Sequence, residues 1–316
     1  PDCRGPTGGG MMLAWIRLLR LPNHATAVAD VLAGWLIVSR STTLEPPPAA
    51  FWAAAAASLA LYAAGMVLND VADLELDRRE RPERPLPSGQ IAVARAAAAG
   101  WMLLVGGVAA GAVAAVLAGH WQVLAVAAGL AAAVWIYDFA AKSTPAGPLV
   151  MGGCRGLNWL LGMTAAGGPQ AAEWLLPAGM GLYVAGVTFY ARQEAGRSRR
   201  LPLGLATAVM AAGLAVGGWF VVLLAADGGS DWLSRAGLDN WLLLWAVLAS
   251  SVLFRCIMGI ATPESGNVQR AVGNAIMSII TLDAVLVLSA CGERWAIAVL
   301  LLLVPFVLSR RLASPT

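Results

Sequence analysis

The stretch NDVADLELDRRERPERPLPSG, residues 69–89, lies between two long apolar runs. It holds six of the chain's 18 acidic residues and four of its 21 basic residues, although only 12% of the 316 residues are charged. Polar groups placed directly at the end of an apolar membrane span are costly, and they usually serve a function. Two questions follow. The fold depends on whether the flanking runs cross a membrane, and the function depends on whether these carboxylates form a site.

The rest of the chain is strongly apolar, with a mean hydropathy of +0.71 and 59% hydrophobic residues. An apolar run of about 20 residues is long enough to cross a bilayer as a helix. We place ten such runs, at residues 23–40, 50–69, 92–118, 121–138, 147–167, 173–191, 202–226, 240–258, 270–289 and 294–309. The sequence thus predicts an all-α, polytopic membrane helical bundle with nine or ten transmembrane helices.

These helices are expected to form a single domain over residues 11–316. The first ten residues, PDCRGPTGGG, precede Met11 and Met12, and we set residues 1–10 apart as a non-native or disordered N-terminal extension. Four cysteines lie far apart without a CxxC pair, so neither a metal cluster nor a disulfide framework is indicated.

Basic residues are distributed unevenly along the predicted topology. With residues 70–91 in the cytoplasm, alternation of the helices puts 18 of the 21 basic residues inside and leaves Arg40, Arg235 and Arg294 outside. This positive-inside bias predicts a protein of a bacterial-type cytoplasmic membrane whose polar loops face the cytoplasm, with a central cavity open to that side. Since the arginines act first as topology determinants, the net charge of +3 gives no reason to expect a nucleic-acid partner.

The carboxylates of residues 69–89 have a helical spacing. If the preceding helix continues, Asn69, Asp73 and Asp77 share one face, and Asp70 lies beside Asp73. Like charges four residues apart repel each other, and a cation relieves that repulsion. Several carboxylates with room for water and phosphate suit Mg²⁺. The alternative is a solvated helix end, whose acids are neutralised by the neighbouring arginines Arg78, Arg79, Arg81 and Arg84.

These motifs resemble a known family. NDVADLELD is similar to the NDxxDxxxD motif of the UbiA superfamily of intramembrane prenyltransferases, and ERPLPSG, residues 83–89, is similar to the segment that follows it there. Residues 17–37, RLLRLPNHATAVADVLAGWLI, resemble the family's first helix, and residues 151–163, MGGCRGLNWLLGM, resemble its fifth. The segment TFYARQE, residues 188–194, resembles the second aspartate motif, so the likeness extends from about residue 15 to 290.

The resemblance implies a helical bundle whose central cavity binds an isoprenoid diphosphate through Mg²⁺. Carried over residue by residue, it makes Asn69, Asp70, Asp73 and Asp77 the catalytic residues that hold metal and diphosphate, assisted by Arg78 or Arg84. Metal ions would neutralise the departing diphosphate, and the allylic cation would react with an acceptor away from bulk water.

The second motif departs from the family's pattern. In VTFYARQEAGRSRR, residues 187–200, Val187 stands where the family has its first aspartate, and Glu194 is the one metal ligand that remains. Tyr190 and Arg192 of this motif are candidate substrate-binding residues. Its four arginines either grip phosphate directly or act as membrane anchors; they are Arg192, Arg197, Arg199 and Arg200.

The family's tyrosine–lysine pair is altered too, because Tyr137 and Lys142 are five residues apart, one more than usual. Tyr137 would lean over the allylic cation and Lys142 would contact phosphate, or either would anchor the chain at the membrane interface. An intact first motif with a reduced second one is similar to the EboC-like branch of the superfamily.

Polar residues inside the predicted spans are further candidates. Arg155 and Asn158 lie in the fifth span, where Arg155 would face phosphate or form a buried ion pair. Asn23 either lines the site or caps the first helix. Asp30 and Asp283 lie deep in spans and must face protein or a cavity.

The leading hypothesis is an integral-membrane prenyltransferase. It would transfer a prenyl group from an isoprenoid diphosphate to an unidentified lipid or aromatic acceptor in a Mg²⁺-dependent reaction. The alternative is a non-catalytic membrane protein that binds or carries an isoprenoid or metabolite, which the reduced second motif favours. A phosphatidyl-type transferase would need a D-G-x-x-A-R pattern that is absent, and the hydropathy excludes a soluble isoprenyl diphosphate synthase. The oligomeric state is not set by the sequence.

Overall fold

The structure, a computed structural model, describes residues 8–193 and 199–307. These residues contain thirteen α-helices and no β-strand. The helices are α1 (Gly8–Leu19), α2 (His24–Ser39), α3 (Ala49–Ala72), α4 (Leu74–Glu80), α5 (Val93–Ala118), α6 (Gln122–Ile136), α7 (Gly147–Ala165), α8 (Leu175–Ala191), α9 (Arg200–Ala226), α10 (Asp231–Ala236), α11 (Leu238–Ala261), α12 (Ser265–Cys291) and α13 (Glu293–Leu300). The predicted all-α membrane bundle is confirmed.

Seven helical segments within the described ranges are long and apolar enough to cross a membrane. They are α3, α5, α6 extended to Ala141, α8 extended back to Ala172, α9, α11 and α12. The pair α1–α2, bent by 46°, makes an eighth candidate. α1 begins at Gly8, within the ten residues set apart as an extension.

The difference from ten predicted spans lies in three segments, although each of the ten contains a helix. α2 alone has 16 residues, and α13 has eight. α7 has 19 residues, but Arg155 and Asn158 lower its hydropathy. The count of nine or ten transmembrane helices therefore stays a prediction.

The helices pack in both antiparallel and parallel pairs. α3 lies along α5, α8 along α9, α7 against α2 and α8, and α12 against α11 and α2. One end of the bundle thus collects the C-terminal ends of α3, α6, α8 and α11 with the N-terminal ends of α2, α5, α7, α9 and α12. Residues 69–89 lie there, and we call it the motif end. An ion pair between Arg20 and Asp70, 2.7 Å apart, connects the segment before α2 to the end of α3.

Close helix contact depends on a glycine where α7 crosses α2. A Cβ added at Gly162 would overlap the backbone carbonyl of Val31, whereas one added at Gly153 of the same helix would meet nothing within 4 Å. Small residues of this kind let helix backbones approach in lipid, where packing rather than the hydrophobic effect drives association.

We expect Gly162→Ala to lower the stability of the detergent-solubilised protein by about 1–3 kcal/mol, because the added methyl group forces α7 away from α2. Gly153→Ala is the matched control and should be neutral or slightly stabilising, since alanine favours a helix. Thermal unfolding of both variants checks this. Equal midpoints for the two variants would contradict the close packing of α2 against α7.

Candidate functional site

The first motif follows directly from α3. α3 ends at Ala72, Asp73 joins it to α4, and α4 ends at Glu80, before Pro82 as the sequence predicts. Backbone bonds from the Asp73 amide to the Asn69 carbonyl (2.9 Å) and from the Asp77 amide to the Asp73 carbonyl (2.8 Å) keep the helical register across the junction. Asn69, Asp73 and Asp77 therefore stay on one side of the chain.

The three aspartates each face basic side chains. Asp70 pairs with Arg20 at 2.7 Å and lies 3.7 Å from Arg84. Arg84 also contacts Asp77 at 2.6 Å, and both of these aspartates are buried. The sequence left open whether Arg78 or Arg84 assists these aspartates in holding metal and diphosphate. The structure places Arg84 among the aspartates.

Two other pairs complete the description of the motif. Lys142 approaches Asp73 with 2.5 Å between Nζ and Oδ1. Arg78 instead forms an exposed pair with Glu75 at 2.5 Å, away from the buried aspartates. The motif thus has one exposed ion pair at the surface, while each of its three aspartates pairs with a basic side chain.

The tyrosine–lysine segment has an unusual backbone. Residues Tyr137–Ala141 form a π-helical turn at the end of α6, and the Lys142 amide donates to the Tyr137 carbonyl at 3.0 Å. Such a turn accommodates one residue more than an α-helical turn. It therefore absorbs the extra residue between Tyr137 and Lys142, and the lysine still reaches Asp73.

Two residues at this site were not among the site residues predicted from the sequence. Asp138, in the π-helical turn, accepts from Asn69 at 3.0 Å, and its second carboxylate oxygen is buried with no partner among the described residues. Arg20 lies at the break between α1 and α2, in the left-handed backbone region with φ 48°. Such a conformation is uncommon for a residue other than glycine, and it often occurs at functional sites. The signal available was its position before Pro22 at the start of an apolar span.

The second motif reaches the site through one residue. Arg192 donates to the backbone carbonyl of Lys142, and so ties the end of α8 to the lysine segment. Tyr190 is buried and donates its hydroxyl to the Cys256 carbonyl of α11 at 2.8 Å, so it faces away from the aspartates. Glu194, the predicted metal ligand, lies outside the described residues.

Arg155 and Asn158 belong to a separate buried cluster. Arg155 pairs with Asp30 at 2.7 Å, which is the buried ion pair that the sequence analysis left open. Asn158 donates to Asp30 at 2.9 Å and accepts from Ser58 at 2.6 Å. Ser58 precedes Asn69 by 11 residues, which is about 16 Å along a helix axis. The cluster therefore lies deeper in the bundle than the motif.

Asn23 and Asp283 are also placed by the structure. Asn23 immediately precedes α2, and its carbonyl accepts from the Thr26 hydroxyl at 2.8 Å, while its side chain forms no capping bond. Asp283 is fully buried in α12, and neither carboxylate oxygen has a hydrogen-bond donor among the described residues.

The motif end combines side chains that can bind a metal ion with side chains that can bind an anion. Asp70, Asp73, Asp77 and Asp138 supply hard oxygen donors, and Arg20, Arg84 and Lys142 supply positive charge. In the described part of the chain, no three acidic, histidine or cysteine side chains are already arranged around one ion position. The reason is that each aspartate of the motif is turned toward a basic side chain.

The predicted central cavity stays a prediction. A cavity of about 510 Å³ lies at the opposite end of the bundle, next to Trp121, Gln170 and Trp174. Another, of about 420 Å³, lies between α11 and α12. Neither is lined by the aspartates of the motif.

Known proteins with similar sequences share part of this chain. The digeranylgeranylglyceryl phosphate synthase of Methanoculleus marisnigri is 42% identical over 96 residues, which are 30% of this chain and 33% of that protein. The synthase of Methanopyrus kandleri is 30% identical over 165 residues, or 52% of this chain and 57% of that one. The matched stretches thus span about a third to just over half of these relatives.

Solved structures share the fold over most of the chain. A structure of digeranylgeranylglyceryl phosphate synthase superposes with a TM-score of 0.65 at 21% identity, covering 90% of this chain and 99% of that one. A UbiA homologue from Archaeoglobus fulgidus bound to GPP and Mg²⁺ gives a TM-score of 0.62 at 12% identity, with the same coverage. The sequence pattern of the UbiA prenyltransferase family matches residues 28–274, which is most of the chain. The chain therefore belongs to the UbiA prenyltransferase family.

Proposed function

We propose that this integral membrane protein is a Mg²⁺-dependent prenyltransferase that uses an isoprenoid diphosphate donor. The observation that carries this proposal is the convergence of Asp70, Asp73 and Asp77 with three basic side chains, contributed by three separate parts of the chain, at the motif end. A solvated helix end needs no such convergence. Family membership supports the same reaction.

The donor set fits Mg²⁺, which prefers oxygen ligands and keeps several waters. Asn69, Asp70, Asp73 and Asp77 would hold it, and when bound it would neutralise charge on the departing diphosphate. Arg20, Arg84 and Lys142 would leave their carboxylates and donate to the diphosphate oxygens, because guanidinium and ammonium groups bind phosphate strongly. Burial of Asp70 and Asp77 would help to keep bulk water from the allylic cation.

The relatives favour a lipid acceptor. Their name describes the synthesis of a glyceryl phosphate that carries two geranylgeranyl groups. For such an acceptor, the donor's carbon–oxygen bond breaks and diphosphate leaves with the electron pair. An ether bond forms to the acceptor hydroxyl, whose proton passes to the departing diphosphate. The likeness to the EboC-like branch rests on the two motifs alone and indicates no acceptor. An aromatic acceptor is the second candidate.

Two further points concern the orientation of the protein in the membrane and the alternative function. The positive-inside bias supports a motif end that faces the cytoplasm. A non-catalytic carrier stays the alternative, supported by Val187 at the first position of the second motif.

The test uses the full chain in lipid nanodiscs with dimethylallyl, geranyl or geranylgeranyl diphosphate. Each donor is combined with geranylgeranylglyceryl phosphate or with a phenolic carboxylate. We expect diphosphate release and a prenylated product by mass spectrometry, with both lost after Mg²⁺ is removed by EDTA and restored when it is added back. Donor binding without turnover with either acceptor would favour the carrier, and no binding of any donor would overturn the proposal.

A further inference from the structure

The cleft of about 420 Å³ between α11 and α12 is not part of the site at the motif. Its polar lining residues are Arg255 of α11 with Asn267, Arg270 and Asn274 of α12, and Phe254 and Met258 of α11 are among its apolar ones. Both helices are long enough to span the membrane, and the cleft lies toward the motif end of each. A cleft lined by both basic and large apolar side chains suits an amphipathic ligand.

The charges of this cleft are uncompensated. Neither Arg255 nor Arg270 forms an ion pair within the described ranges, and Arg270 uses only its Nε, which donates to the Gly266 carbonyl at 3.2 Å. The side-chain nitrogen of Asn274 is buried and has no hydrogen-bond partner among the described residues. Three side chains thus present donors to one cleft without a facing carboxylate, and an anion would satisfy all three.

The position of the cleft indicates where that anion comes from. Arg255 precedes the end of α11 by six residues, which is about 9 Å along the helix axis. Phe254 and Met258 are 63% and 46% exposed, so this side of α11 faces lipid. An arginine at this depth is costly without a partner. Basic pockets between membrane helices near the headgroup layer bind anionic lipid headgroups.

We propose that the cleft between α11 and α12 binds an anionic phospholipid, with its phosphate against Arg255, Arg270 and Asn274 and a hydrocarbon chain along Phe254 and Met258. The lipid joins two adjacent helices and supplies the counter-charge that the protein lacks there. The proposal does not depend on the prenyl donor, because none of these residues contacts the motif.

The test measures lipid binding to the full chain in a neutral detergent, by thermal stability and by native mass spectrometry. Short-chain phosphatidic acid and phosphatidylglycerol should bind and raise the unfolding midpoint, whereas phosphatidylcholine should not. R255Q/R270Q should weaken this binding about tenfold or more, because it removes two charge-assisted contacts. R79Q/R95Q is the matched control, since it removes the same charge from exposed positions at the same end.

Other outcomes would overturn the proposal. Equal binding of anionic lipid by R255Q/R270Q and by the control would show that the cleft is not the site. Inorganic phosphate or diphosphate that binds as tightly as the lipid and displaces it would show a site for soluble anions. Should the double variant fail to fold, the single variants R255Q and R270Q are used, and each should weaken binding several-fold.

Discussion

Asp73→Asn should abolish Mg²⁺-dependent prenyl transfer, with a loss of about a thousandfold or more in kcat/KM. The substitution keeps the size of the side chain but removes the charge that faces Lys142 at 2.5 Å. Lys142 would then lose its counter-charge, and the metal would lose a ligand from the middle of the motif. A non-hydrolysable geranylgeranyl diphosphate analogue should stabilise the wild type only with Mg²⁺, and the variant not at all.

A control lies two residues away. Glu75→Gln makes the same chemical change in the exposed pair with Arg78, where the glutamate side chain is 76% exposed. Because exposed ion pairs contribute little, this variant should keep wild-type turnover and stability. Turnover of Asp73→Asn within about tenfold of the control would remove the aspartate from the proposed metal site.

Arg155→Leu should destabilise the bundle by about 3–5 kcal/mol, because it leaves a buried carboxylate without its partner. Asp30 is fully buried, forms an ion pair with Arg155 and accepts a hydrogen bond from Asn158. Adding Asp30→Asn should restore most of the loss, since the neutral amide needs no counter-charge and its oxygen still accepts from Asn158. Denaturant unfolding in detergent micelles gives the three free energies.

The matched control for this prediction is Arg95→Leu, which removes an exposed arginine at the start of α5. It should change the free energy of unfolding by less than about 0.5 kcal/mol. A cost for Arg155→Leu no larger than that of the control would show that the buried pair contributes nothing to the fold. Failure of Asp30→Asn to recover stability would instead assign the loss to packing around the arginine.

The helices of this bundle were predictable because a membrane requires long apolar runs, and such runs are visible in a single sequence. The end of α4 before Pro82 was predictable for the same local reason. The contacts of the site were not. Arg20 meets Asp70 across 50 residues and Asn69 meets Asp138 across 69, and only tertiary packing brings such residues together.

Other departures have local causes. The spacing of Tyr137 and Lys142 indicated an altered segment, but a π-helical turn cannot be read from spacing alone. Tyr190 matched a family motif, yet a glycine on α11, Gly259, lets its hydroxyl pack against that helix and bond to Cys256. α7 carries Arg155 and Asn158 within an otherwise apolar run, so hydropathy alone does not decide whether it spans the membrane.

The ion pairs of the motif link the two ligands of the proposed reaction. Magnesium alone would have to compete with Arg84 and Lys142 for the aspartates, and a diphosphate alone would have to draw those bases from carboxylates. If both arrive together, each would free the groups that the other needs. On the proposed function, we therefore expect their binding to be positively cooperative, with each raising the other's affinity by the same factor. Because the ion pairs supply counterions in the absence of ligands, such a site would discriminate against divalent ions that arrive without a donor.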